Sequence, residues 1–169
     1  MLGRPNNFAT TSDNTRGSSL VEFTVTLPLF LLLMFGILQA GLLLYTQVGL
    51  QHGVEVAARC ASVNYSANQL GLNQSCFTVG GAPTPSAVIA DTTCGYIKTY
   101  AAQNSWGINP SSATTTYTVK TPGGTCTGTA TCGANPGYQV SASYPYNIMH
   151  YLFFGLTLSA TSCFPINIS

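Results

Sequence analysis

Glu22 stands at the mouth of an apolar run, Phe23 to Tyr45, that contains no charged residue. A charge near the centre of a membrane helix costs roughly 2.5–3.5 kcal/mol, and less near the interface. A carboxylate at that position either marks the headgroup boundary, snorkelling back to water, or is a working charge. The second group with chemical potential is the cysteines: Cys60, Cys76, Cys94, Cys126, Cys132 and Cys163. No C-x-x-C pair occurs among them, so a thioredoxin-like redox site or a zinc knuckle lacks its spacing. An even set of this kind suits disulfides in an oxidising compartment. His52 and His150 each lack a second histidine at ligand spacing, and each is expected to be a lone polar or packing residue. Glu55 and Asp91 have nothing to bring them together, so solvated or capping roles are expected. Cys60 lies two helical turns from His52, too far for a Cys–His nucleophile. The stretch Thr121-Pro122-Gly123-Gly124 lacks the Lys-Ser/Thr ending of a phosphate-binding loop. No catalytic residue, metal site, cofactor or small-molecule substrate is expected, and the chain is not read as an enzyme.

The composition agrees. Of 169 residues only 5% are charged, with a net charge of +1, where soluble domains average about 25% charged. There is no basic footprint for nucleic acid. A near-neutral, weakly charged surface favours association, as in an assembly protein.

The elements that hold these residues begin with the apolar run. About 20 apolar residues in a helix cross a bilayer core of about 30 Å, and Phe23–Tyr45 has only Thr24, Thr26 and Gln39 as clearly polar members. Pro28 falls early, where a helix loses little from a missing donor. Arg4 and Arg16 precede the run, and no Lys or Arg follows until Arg59. The positive-inside bias predicts a single pass with residues 1–17 in the cytoplasm and the bulk of the chain outside. A secretory signal would have a shorter apolar run and a small-x-small cleavage site. Beyond the membrane, Leu50, Val54, Ala57, Ala58 and Ala61 recur at three- and four-residue spacing, while Gln47, Gln51 and Glu55 face elsewhere. The pattern predicts one helix from about Leu20 to Val63, amphipathic in its second half. Gly36 with Gly41, and Gly49 with Gly53, would let another helix approach closely; ordinary membrane-helix composition supplies such glycines too.

The order Arg16-Gly17, Ser18-Ser19-Leu20-Val21, Glu22-Phe23 resembles a prepilin processing site. The wider stretch RGSSLVEFTVTLPLFLLLMFGILQAGLLLYTQVGLQHGVEVAARCA is similar to the TadE family of minor pseudopilins from tight-adherence (Tad) pilus systems. YQVSASYPYNI and LTLSATSCFP resemble that family's closing strands. The resemblance implies cleavage by a prepilin peptidase after Gly17, which makes Ser18 the new N-terminus and Glu22 the fifth mature residue. Glu22, with Phe23 beside it, would then set the register between subunits. An ion pair with the amine of Ser18, its own or a neighbour's, offsets the desolvation of both charges.

Residues 64–84 read as a surface loop. Thr84-Pro85 reads as a helix start, leading into a second helix that continues to about Gln103, weakened by Thr92, Thr93 and Gly95. Period-two patterns over Ala113–Lys120, Gly137–Tyr144 and Gly155–Ser162 predict strands. Tyr138, Val140, Ala142 and Tyr144 share one face, as do Leu156, Leu158 and Ala160. The intervening Thr121–Gly137 reads as a loop. The expected fold is α+β: a long N-terminal helix, a second helix and a three-stranded antiparallel sheet held by disulfides. A hairpin between the last two strands brings Cys163 near Cys132. Cys60 ends the first helix close to Cys76, leaving Cys94 for Cys126. A local Cys126–Cys132 bridge is also sterically reasonable. Tyr144, Tyr146, Tyr151, Phe153 and Phe154 form either a hydrophobic corner or a contact patch for a partner.

The expected organisation is a cytoplasmic leader (1–17), a long helix (18–63) spanning the membrane over about 23–45, and an extracytoplasmic α+β domain (64–169). The expected function is that of a minor pseudopilin in pilus initiation, assembly or adhesion. Its partners would be the membrane, a prepilin peptidase, other pilin-like subunits and the Tad secretion machinery. Its place would be the bacterial inner membrane with the domain periplasmic, or the cell surface after assembly. The rivals are an uncut membrane-anchored assembly component and a secreted disulfide-rich binding domain or enzyme. The position of cleavage separates them.

Overall fold

The computed structural model describes residues 15–72, 76–77, 84–107, 115–146 and 156–166. Residues 1–14 of the expected leader, His150, Tyr151, Phe153 and Phe154 lie outside the described residues. Two compact units result, Met1–Ala40 and Gly41–Ser169.

Helix α1 runs over Thr15–Gln69, longer at both ends than the spacing predicts. In the first unit its described side chains, Gln39 apart, are exposed, Leu29 and Leu32 among them. It is long and apolar enough to cross a membrane. Pro28 sits inside the helix and leaves the Thr24 carbonyl without its usual donor. The Thr24 hydroxyl donates to Leu20 O at 2.7 Å, and the Thr26 hydroxyl to Glu22 O at 2.9 Å. Hydroxyls bonded back to the helix need no water, which suits an apolar surround.

In the second unit α1 becomes amphipathic. Leu50, Val54, Ala57, Ala58 and Ala61 are all buried, the face that the three-and-four spacing predicts. Arg59 reaches back to Glu55 at 3.3 Å, an exposed i,i+4 pair of small energetic weight. The helix continues past Val63 because Asn64 and Ala67 are buried too. The Asn64 Oδ1 accepts the Cys76 N–H at 3.3 Å, so a tertiary contact holds a polar sequence helical where propensity alone is weak. Gly71, at φ +69°, ends the run, with Leu72 N bonded to Ala67 O at 2.9 Å. That is the left-handed closure that glycine permits.

The predicted second helix is two helices, α2 Pro85–Ala90 and α3 Gly95–Gln103. Asp91 causes the break. Its Oδ1 accepts the Thr93 N–H at 2.9 Å and the Thr93 hydroxyl at 2.6 Å, and its Oδ2 accepts the Tyr96 N–H at 3.4 Å. The carboxylate thus ends one helix with a tight turn and caps the next. Cys94 completes the turn at φ 54°.

The sheet is antiparallel, with four strands rather than three: β1 Thr116–Lys120, β2 Thr131–Cys132, β3 Asn135–Tyr146 and β4 Leu156–Pro165. β3 pairs with all the others. Val119 faces Val140 across β1–β3, and Ala142 faces Ala160 across β3–β4. The short β2 arises within the stretch read as a loop, pairing Thr131 with Pro136. Val119, Tyr138, Val140, Ala142, Leu158 and Ala160 form one buried cluster with the α1 stripe and Ile97 and Ala101 of α3.

The cysteines pair Cys60–Cys76, Cys94–Cys126 and Cys132–Cys163, with Cα–Cα distances of 5.8, 6.0 and 5.6 Å. These are the three pairs that the sequence favours. They tie the loop after α1 back to α1, the α2–α3 turn to the loop between β1 and β2, and β2 to β4.

Candidate functional site

Gly17 and Ser18 lie in the first helical turn of α1, and Glu22 and Phe23 one turn further on. Glu22 is exposed, and among the described residues no hydrogen bond or ion pair reaches its carboxylate. Its backbone oxygen accepts the Thr26 hydroxyl. Gly36 and Gly41 have open space where a Cβ would stand. Gly49 and Gly53 do not: a Cβ on Gly49 would overlap the Trp106 carbonyl, and one on Gly53 would overlap the Ser105 hydroxyl and lie 2.6 Å from Ala101 O. The second glycine pair is therefore filled within the chain by the end of α3, while the first is open to another helix.

In the domain, a cavity of about 320 Å³ opens between α1, the α2–α3 turn and the sheet, lined by Tyr65, Val88, Asp91, Ile97, Thr121 and Tyr138 among others. Burial, reinforced by the neighbouring Tyr65, pushes the Tyr138 phenol up to about 12. Slight burial of Asp91 works upward, but hydrogen bonds from Thr93, Tyr96 and Gly95 outweigh it and hold the carboxyl below its usual 3.8. Both oxygens of that carboxylate serve the backbone, so neither is poised as a base. No group of His, Cys, Asp and Glu able to hold a metal occurs among the described residues. His52 stacks on Trp106 with ring centroids 4.3 Å apart, the packing role expected of it. Trp106 and Ser105 have no sequence pattern that singles them out; only the glycines opposite hint that something must approach there.

Asp91→Ala removes this cap and is expected to cost about 1 kcal/mol at neutral pH. A depressed carboxyl stabilises above its ordinary value and loses that contribution as pH falls through its folded value. The difference in melting temperature between wild type and variant should therefore narrow below about pH 4 and be flat from pH 6 to 8.

A helix long and apolar enough to span a membrane and a disulfide-bonded α+β domain fit a membrane-anchored component. Residues 17–59 match the model of the TadE-like protein family, the family that the processing motif resembles. The match associates the chain with Tad pilus systems and takes in Gly17, Glu22, the apolar run and the amphipathic half of α1. No curated protein and no solved structure matches the chain.

Proposed function

We propose that this chain is a minor pseudopilin of a Tad-type pilus, acting in fibre initiation, assembly or adhesion. The observation that carries the reading is the family match over residues 17–59, which spans the Gly17-Ser18 junction, the exposed Glu22 and one unbroken helix. Residues 1–17 are the cytoplasmic leader, and a prepilin peptidase cuts after Gly17. The amine released on Ser18 is cationic at neutral pH, with an ordinary pKa of about 7.7–8.0. It pairs with Glu22 of its own chain or of a neighbour. A subunit that docks out of register leaves both charges unpaired in an apolar surround, which penalises the wrong alignment. Helices pack through residues 18–45, with Gly36 and Gly41 as the open approach. The domain faces the periplasm and reaches the cell surface with the fibre. Other pilin-like subunits and the Tad machinery are the partners.

The test is the intact mass and N-terminus of the membrane-extracted protein, made with and without the cognate prepilin peptidase. A peptidase-dependent start at Ser18 is expected. An intact Met1 in both samples would leave a permanent anchor instead, and a start near residue 40 would make the apolar run a secretory signal. Glu22→Gln, which keeps the size and removes the charge, is expected to be cut normally and to be absent from sheared fibres.

A further inference from the structure

The end of the domain at which α1 enters it, beginning at Gly41, carries an uncharged aromatic and aliphatic collar. On α1 it consists of Tyr45 and Val48, 54% and 56% exposed. The residues after α3 add Trp106, 40% exposed, and Gly107, whose missing Cβ would sit 2.8 Å from the Tyr45 ring. Among the described residues the Trp106 indole N–H has no hydrogen-bond partner. The β3–β4 hairpin supplies Leu156, opposite Tyr146 and 47% exposed.

Two contacts fix the level of that hairpin. Gln47 Nε2 donates to Ser159 O at 2.9 Å, and the Arg59 guanidinium lies 5.1 Å from the Phe164 ring centre. β4 therefore runs alongside α1 in the same direction. Leu156, three residues ahead of Ser159, lies about 10 Å nearer the Gly41 end.

The charges lie elsewhere. From Gly41 onward the charged residues are Glu55, Arg59, Asp91, Lys98 and Lys120. Arg59, with Glu55 beside it, is at the Phe164 end. Lys120 pairs with Gln139, about 23 Å along β3 from Tyr146. Asp91 precedes α3, whereas Trp106 follows it. Lys98 lies on α3 before its last turn.

We infer that Tyr45, Val48, Trp106 and Leu156 form a membrane seat, lying in the headgroup layer of the bilayer that holds α1. The inference rests on α1 being a membrane anchor; it does not require cleavage or a pilus. The collar is continuous along the chain with the membrane-spanning segment. Tyr and Trp, with apolar rings and polar tips, concentrate at that depth. A protein partner would be expected to meet a polar rim, and here none of the five charged residues belongs to the collar. A subunit entering a fibre would have to give up this seat as well as the bilayer core.

Trp106 is the sole tryptophan, so its emission reports the collar alone. The full chain is placed in vesicles of phosphatidylethanolamine and phosphatidylglycerol containing lipids with a nitroxide either near the headgroup or deep in the acyl chains. Resistance to carbonate extraction scores insertion of the anchor separately. With the anchor inserted, the shallow label is expected to quench Trp106 more than the deep one, and aqueous iodide only weakly. Tyr45→Ser combined with Leu156→Ser should raise iodide quenching and lower lipid quenching while the near-ultraviolet circular dichroism is kept. Inserted protein quenched by iodide but by neither lipid label would overturn the seat. Protection from all three quenchers would overturn it in favour of a protein, such as a second copy. Failure of the anchor to insert would remove the premise for the seat and the anchor reading together.

Discussion

Gly53→Leu should destabilise the domain by on the order of 3 kcal/mol, read as an earlier unfolding midpoint of Trp106 emission in detergent. The sign is not obvious from helix propensity. Glycine inside a helix costs about 0.5–1 kcal/mol relative to alanine, so a larger residue at an open position would stabilise. Position 53 is not open. Its Cβ would lie 2.6 Å from Ala101 O and overlap the Ser105 hydroxyl. Ser105 is itself held, donating to Ala101 O at 2.8 Å and accepting from the Tyr117 hydroxyl at 3.3 Å. Backbone cannot rotate away as a flexible side chain can, so α3 must move off α1 and part Ile97 and Ala101 from the core. Gly36→Ala and Gly41→Ala are the controls. With nothing within 4 Å of either Cβ, they should not destabilise the domain. Any effect they have should be on helix association, since that pair is the one left open. Equal destabilisation by all three glycine substitutions would contradict this division.

The same glycines mark how far residue types reach. Their spacing says that something comes close, but not whether it is another subunit or the chain's own α3; that depends on where a loop returns. The buried α1 stripe was legible because Leu50, Val54, Ala57, Ala58 and Ala61 keep a strict helical period over several turns. The strand faces were legible for the same reason, with Val140 and Ala142 inward between Ser141 and Ser143. What escaped depends on single contacts rather than on period. Asp91 turns one expected helix into two through three hydrogen bonds. Asn64 holds the end of α1 helical through a bond to Cys76, twelve residues on. β2 is two residues long and has no period to read. Glu22 is the opposite case: the resemblance gives it a role, and a single chain adds only that the carboxylate is exposed and free of partners among the described residues. An assembly register belongs to two chains.

The Cys94–Cys126 bridge should carry the other large effect on stability, and its replacement should depend on what replaces Cys94. The closed loop has a sequence separation of 32, for which chain entropy gives about 3.7 kcal/mol. Cys60–Cys76, with a separation of 16, gives about 3.1 kcal/mol. Cys94, however, is also the one described non-glycine residue with positive φ, at 54°. A side chain there costs roughly 1–2 kcal/mol in the left-handed region, a cost offset while the bridge and the Asp91 turn hold it. Once the bridge is gone, alanine at 94 keeps that cost and glycine does not. The variant Cys94→Ala with Cys126→Ala is therefore expected to lose about 4 kcal/mol. Cys94→Gly with Cys126→Ala should lose about 1 kcal/mol less, even though glycine is the worse helix former next to α3. Urea unfolding of both variants against wild type measures the difference directly. If the alanine variant proves the more stable of the two, the turn does not keep its left-handed geometry without the bridge. The disulfide would then impose that conformation, not merely lock one that Asp91 already sets.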